Sequence, residues 1–117
     1  MENLFEFNIS AGGDLNATIT DIPVEDNIYD FGTSETSIPH TFTLTNNSTG
    51  DWELEASMDS TDFLTDITSS SLAAGKELGF QVIFASAGNS GSKSADLTIR
   101  NKITNRTKTI TFVGVKP

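Results

Sequence analysis

Few residues in this chain have the type and spacing to do chemistry. His40 is the only histidine, and it shares the parity of Ile38 and Phe42 in an alternating run. It therefore reads as a partly buried strand residue and not as a general base, and no Gly-x-Ser-x-Gly stretch accompanies it. Glu53 and Glu55 fall on one strand face and offer paired carboxylates, although an acidic face is ordinarily just solvated. Asp59, Asp62 and Asp66 could supply oxygen ligands to calcium, but without the Asp-x-Asp-x-Asp-Gly order that wraps a loop round the ion. Asn8, Asn16, Asn46, Asn47 and Asn105 each begin an N-x-Ser/Thr sequon, which matters only in a secretory pathway and which chance explains in a chain this rich in Ser, Thr and Asn. Arg100, Lys102, Arg106 and Lys108 form the one basic cluster. It is a charged hairpin tip on the plain reading and a dock for an acidic neighbour on the sharper one. No catalytic residue, metal site or cofactor site is nominated from these sets.

Composition narrows the classes further. A chain of 117 residues suits one domain, and its 36% hydrophobic residues fall in periodic blocks, which argues against disorder. The formal net charge of −9 repels phosphate backbones and anionic lipid heads, so neither nucleic acid nor a membrane surface is an expected partner. With no cysteines there are no disulfides or thiolate ligands, and stability must come from packing. The start, Met1-Glu2-Asn3-Leu4-Phe5-Glu6, is acidic and interrupted, unlike a secretory signal, and a complete small protein is expected.

The elements that position these residues alternate with period two, the spacing of strands with one buried face. Ile38, His40, Phe42 and Leu44 oppose Thr41, Thr43 and Thr45, with Pro39 near the start of the strand, where its missing N–H is tolerated. Trp52, Leu54, Ala56 and Met58 follow, with Trp52 read as a core anchor. Phe63, Leu64 and Ile67 predict a short edge segment, and Ser69 to Ser71 lead into a turn. Leu78, Phe80, Val82 and Phe84 make the next strand, with Ile83 on its opposite face, and Ala95, Leu97 and Ile99 another. In the last strand Ile110, Phe112 and Gly114 share a face. Upstream, Phe5, Phe7 and Ile9 and then Leu15, Ala17 and Ile19 alternate on either side of Gly12-Gly13, a hairpin signal. That hairpin either adds strands to the parent sheet or lies as an arm on a neighbouring subunit.

These residues also resemble a family. Asp30-Phe31-Gly32, Phe42-Thr43-Leu44-Thr45-Asn46 with Gly50, Asp62-Phe63, Leu72-Ala73-Ala74-Gly75, Val82-Ile83-Phe84, Gly91, Leu97-Thr98-Ile99 with Asn101, and Gly114 together resemble ASH-type immunoglobulin-like domains and the related repeat domains of bacterial surface proteins. The chain departs from the pattern at Ala85-Ser86-Ala87, where that family commonly has a proline, and the first 27 residues lie outside the resemblance. The resemblance implies an interaction or scaffold module with no catalytic residues to carry over.

The expected fold is an all-β, immunoglobulin-like antiparallel sandwich of about seven strands over residues 28–117, preceded by a hairpin or arm and connector over 1–27. The expected function is non-enzymatic assembly with other protein subunits, as an accessory protein that decorates or cements a bacteriophage virion, found in the virion or in the cytoplasm before assembly. A protein- or glycan-binding module of a bacterial cell-surface protein is the alternative, and an enzyme on a β-scaffold ranks last. The expected interface residues are Phe5, Phe7 and Ile9 on the arm and Arg100, Lys102, Arg106 and Lys108 on the basic tip. The free edge strands of the sandwich offer a further place for a partner.

Overall fold

Alternation becomes two facing sheets. The computed structural model describes residues 15–23, 26–67, 69–86 and 88–117. Its strands are β1 (Ala17–Ile19), β2 (Ile28–Thr33), β3 (Ile38–Asn46), β4 (Trp52–Met58), β5 (Phe63–Thr65), β6 (Ser69–Leu72), β7 (Glu77–Phe84), β8 (Gly91–Asn101) and β9 (Arg106–Lys116). One sheet runs β2-β9-β8-β4-β6 and the other β1-β3-β7-β5. The fold is an all-β immunoglobulin-like sandwich, as expected from the period-two runs.

Consecutive strands from β1 to β8 alternate between the sheets, and among the described residues only β8 and β9 form a hairpin. The turn cluster Asn46 to Asp51 is thus an arch between sheets. β2 pairs with β9 in parallel, unlike the other pairs, because the chain reaches that edge by crossing from β1 in the opposite sheet. β6 replaces the expected turn-bound serine run. Its polar residues form the outer edge of the five-stranded sheet, where alternation with apolar residues is not required.

The core lies between the sheets and includes Leu15, Ala17, Ile19 and Ile22, all upstream of the residue where the sandwich was expected to begin. β1 pairs with Leu44 to Asn46 of β3. The second half of the expected hairpin therefore belongs to its own sandwich, whereas Phe5, Phe7 and Ile9 lie outside the described residues. At the centre Phe112 packs within 6.5 Å, between ring centroids, of Tyr29, Phe31, Phe42 and Phe63, joining both sheets. Pro39 pairs with Ile83 of β7 and, from the alternation of that ladder, turns its nitrogen toward the outer edge, where no N–H is needed.

The motif residues have identifiable physical roles. Asp30 Oδ1 accepts from Gly32 N at 2.7 Å, and Gly32 takes φ 78, so β2 gains one residue against Val113 to Val115 of β9. This bulge aims Phe31 at Phe63, Phe84 and Phe112. Ser86 sits at φ 45, which proline cannot adopt, so proline is excluded at that position after β7. Gly114 meets the Phe84 ring so closely that an added Cβ would lie 2.7 Å from it. That ring is fully buried and stacks on Phe63 at 5.1 Å, so it cannot swing aside. Gly114→Ala is expected to cost about 1–3 kcal/mol in a denaturant melt. Adding Phe84→Leu should recover part of that loss, and strict additivity of the two changes would contradict the contact.

Candidate functional site

The groups nominated for chemistry are held in structural contacts. His40, in β3, places Nε2 2.9 Å from Asp21 Oδ2 and Nδ1 3.3 Å from Tyr29 Oη, with its ring 4.6 Å from that of Phe42. Asp21 reaches it from the turn after β1, at φ 65, and Tyr29 from β2 in the opposite sheet. The three residues clasp one side of the sandwich shut. No nucleophile accompanies them in the contacts described.

Burial, reinforced by the charge of Asp21, raises the Tyr29 phenol above its ordinary 10.0. A group whose pKa is raised on folding favours the folded state fully below its unfolded pKa, and the advantage is lost as pH rises through the folded value. Stability should therefore fall above about pH 10. Tyr29→Phe should flatten that alkaline limb in thermal melts, and an unchanged limb would exclude Tyr29 as its source.

The three aspartates do not converge. Asp59 Oδ1 accepts from Asp96 N at 2.8 Å, Asp66 Oδ1 from Gln81 N at 2.8 Å, and Asp62 Oδ2 from Ser60 Oγ at 3.2 Å. Each fixes a strand end or turn. Among the described residues no group of three His, Cys, Asp or Glu could hold a metal ion. Glu53 and Glu55 share the outer face of the five-stranded sheet, where Ser71 Oγ donates to Glu53 at 2.7 Å and Arg100 grips Glu55 Oε1 at 2.6 Å. The hydrogen bond and charge of Arg100 hold the Glu55 carboxyl below the usual carboxylate range.

The four cations divide between faces. Arg100 lies on the outer face of β8 with Glu55, whereas Lys108 shares the parity of Ile110 and its Nζ donates to Asn27 Oδ1 at 2.8 Å. Lys102 and Arg106 are exposed at the two ends of the β8–β9 turn.

Among the described residues a groove of about 680 Å³ lies between β4 and β5. Ala56, Met58, Phe63, Leu64 and Ile67 supply its apolar lining, and Asp59, Ser60, Thr61 and Thr65 its polar lining. Among the described residues β6 pairs with β4 from Trp52 to Glu55, and burial falls from complete at Leu54 to partial at Ala56 and Met58. Next to the groove, Pro39, Ile83 and Leu64 stand in cross-strand register on the outer face of the other sheet, with Leu64 49% exposed. Residue types alone did not reveal the groove. The one sequence signal was that the apolar runs around residues 63–72 are too short to close the gap.

The model of a family described as a protein of unknown function, DUF1573, matches residues 22–115. The chain belongs to the DUF1573 family. The match begins downstream of Leu15, Ala17 and Ile19, although all three are buried in this DUF1573 domain. A comparison with curated proteins finds no match.

Among solved structures, the ASH/PapD-like domain 7 of human CEP192 is similar at TM-score 0.67 and 11% identity, covering 100% of this chain and 94% of that one. A protein of unknown function from Porphyromonas gingivalis W83 is similar at TM-score 0.66 and 14% identity, covering 90% of this chain and 48% of its own. A GH5 xyloglucanase from Bacteroides ovatus is similar at TM-score 0.60 and 8% identity, over 86% of this chain and 19% of the enzyme. This chain thus spans about half and a fifth of the latter two. At such identities the likeness is one of fold, and the fold is that of ASH-type, PapD-like immunoglobulin domains.

Proposed function

We propose that this DUF1573 domain is a non-enzymatic assembly module that binds other protein subunits, copies of itself among them. The observation that supports this most is the groove between β4 and β5, lined by both apolar and polar side chains beside strand edges, a surface that suits an extended partner segment. The candidate catalytic groups, by contrast, sit in contacts that hold the sandwich together.

Within this class, the finer reading is an accessory protein that decorates or cements a bacteriophage shell. The arm residues Phe5, Phe7 and Ile9 would contact a neighbour there. Phe5→Asp combined with Phe7→Asp should abolish incorporation into the assembled particle and leave the melting temperature unchanged. Normal incorporation of a folded double variant would defeat the arm reading.

A second reading draws support from the similar structures in which this fold forms part of a longer bacterial chain. On that reading the domain is a protein- or glycan-binding module of a cell-surface protein. Binding to a glycan array by the folded domain, undiminished in the arm variant, would favour it over the virion reading.

A further inference from the structure

β5 is an outer strand of the four-stranded sheet and is bracketed by acids. Asp62 O accepts from Ala85 N and Asp66 N donates to Gln81 O, so these residues, and Leu64 between them by alternation, face β7. Phe63 and Thr65 consequently turn their N–H and C=O away from β7, to the side that no described strand pairs. The edge at β2 is better sealed, since Asp26 Oδ1 accepts from Ile28 N at 3.3 Å and Asp30 Oδ1 from Gly32 N at 2.7 Å. Charge is distributed unevenly along the open edge. Asp59 lines the groove and Asp62 and Asp66 stand on either side of β5, while no Lys or Arg is among the lining residues. Asp59 Oδ1, Asp62 Oδ2 and Asp66 Oδ1 each accept from a neutral donor of the chain, and the second oxygen of each has no described partner. Lys102 and Arg106 lie at the other end of β4, where Lys102 N donates to Glu53 O.

We propose that the β5 edge and its groove take an extended, basic segment of a partner protein, a proposal that deepens the assembly reading above and rests on it. Cross-strand geometry sets the pattern of that segment. Residues directly opposite each other on neighbouring strands point to the same face. Those opposite Phe63 and Thr65 point into the groove over Ala56, Met58 and Ile67, and must be apolar. Those opposite Asp62, Leu64 and Asp66 share the outer face with Leu64, which is exposed. A Lys or Arg opposite each acid, with an apolar residue between them, complements all three. Asp62 and Asp66 are four positions apart in the sequence, about 13 Å in an extended chain at roughly 3.3 Å per residue. They therefore match two cations four positions apart in the partner. The chain's own residues 1–14 carry the wrong charge for this edge. They hold Glu2, Glu6 and Asp14 and no Lys or Arg. Laid along β5, Phe5 to Ile9 would bring Glu6 to the acids and no cation, whether the arm came from the same chain or from a copy. Charge thus selects the occupant. The net charge of −9 draws basic segments to the surface, and the apolar floor holds those with the right alternation.

The test titrates the full-length protein into a fluorescein-labelled peptide, Thr-Lys-Val-Leu-Val-Lys-Thr, and follows anisotropy at low salt. One control peptide has Glu in place of both Lys, and the other has the same composition in scrambled order. The anisotropy should rise with the first peptide and not with the controls. Asp62→Asn/Asp66→Asn keeps the hydrogen-bond acceptors and removes the charges. It should leave the melting curve unchanged and weaken peptide binding roughly three- to tenfold. Glu77→Gln, at the far end of β7 opposite Thr45, should leave binding as it was. Equal losses in the two variants, or equal binding of the scrambled peptide, would show diffuse attraction and overturn the proposal. Binding seen only in Phe5→Asp/Phe7→Asp would place the chain's own arm in the groove and overturn it too. A protein that associates with itself yet ignores the peptide would overturn this partner and leave the assembly reading standing. One that neither associates nor binds the peptide would overturn both.

Discussion

A chain that begins at Asp26 is expected not to fold. It lacks Leu15, Ala17, Ile19 and Ile22, each no more than 7% exposed and all part of the single core. Burial of Leu15, Ile19 and Ile22 contributes about 1.5–3 kcal/mol each, against a total stability of roughly 0.05–0.15 kcal/mol per residue for a domain of this kind. The truncation also strips the outer edge of β3, where β1 pairs with Leu44 to Asn46 and Thr20 N donates to Thr43 O. It removes Asp21 from its contact with His40 as well. Circular dichroism should show no cooperative melt for this chain, whereas a chain beginning at Gly13 should melt as a unit. A cooperative transition in the shorter chain near that of the full one would show that residues 15–22 are dispensable to the core.

The second large effect belongs to Asn46. Its side chain is fully buried at the arch between β3 and β4, where Nδ2 donates to Gly50 O and Leu72 O, both at 3.0 Å. Its Oδ1 accepts from Ser48 N at 2.9 Å and Ser48 Oγ at 2.7 Å. One amide thus ties the arch to the end of β6 in the other sheet. Asn46→Ala takes this partner from the buried bond to Leu72 O and from the half-buried Ser48 N, while Ser48 Oγ still donates to Gly50 O, and should cost about 2–5 kcal/mol, a fall in Tm of roughly 10 °C or more. Asn46→Asp tests the cause. An ionised carboxylate facing two carbonyls is repelled and its folded pKa is raised, so this variant should regain stability as pH falls and the protonated acid can donate. A loss below 1 kcal/mol in Asn46→Ala would mean that the arch is held otherwise. Asn101 has the matching role at the β8–β9 turn, accepting from Glu53 N at 3.1 Å and Ile103 N at 3.2 Å.

Much of the fold was legible because alternation reports burial directly. Phe42 and Leu44, Trp52 and Leu54, Phe80, Val82 and Phe84, and Ile110 and Phe112 are buried on the parity their runs imply. Alternation is silent about which sheet a strand joins. Every strand from β1 to β8 shows its inner residues to the same core whether its chain neighbour lies beside it or across from it. Arches were therefore indistinguishable from hairpins, and the parallel β2–β9 pair gave no signal. Edge strands were legible only where one face is apolar. β1 was seen, as part of a hairpin that either adds to the parent sheet or forms an arm, while β6, with three serines before Leu72, read as loop.

The site was less legible than the fold, for a related reason. His40 was read as a partly buried strand residue, and its ring is indeed about one third exposed and packed on Phe42. The β4–β5 groove, however, depends on where strands stop. Among the described residues β6 pairs with β4 no further than Ser69, β5 is three residues long, and the groove lies over Met58. No single residue type marks such a place. The basic cluster shows the converse. Four cations close in sequence become two faces of a hairpin, with Arg100 held by Glu55 and Lys108 donating to Asn27.

The most direct measurement of the account as a whole is the mass of the purified full-length protein by light scattering over a range of concentrations, with Phe5→Asp/Phe7→Asp measured alongside. The single chain is 12.5 kDa. Assembly through the arm predicts masses that rise with concentration in multiples of that value, and a double variant that stays a folded single chain throughout. A full-length protein that remains a single chain at every concentration, or a double variant that associates as well as the parent, would contradict it.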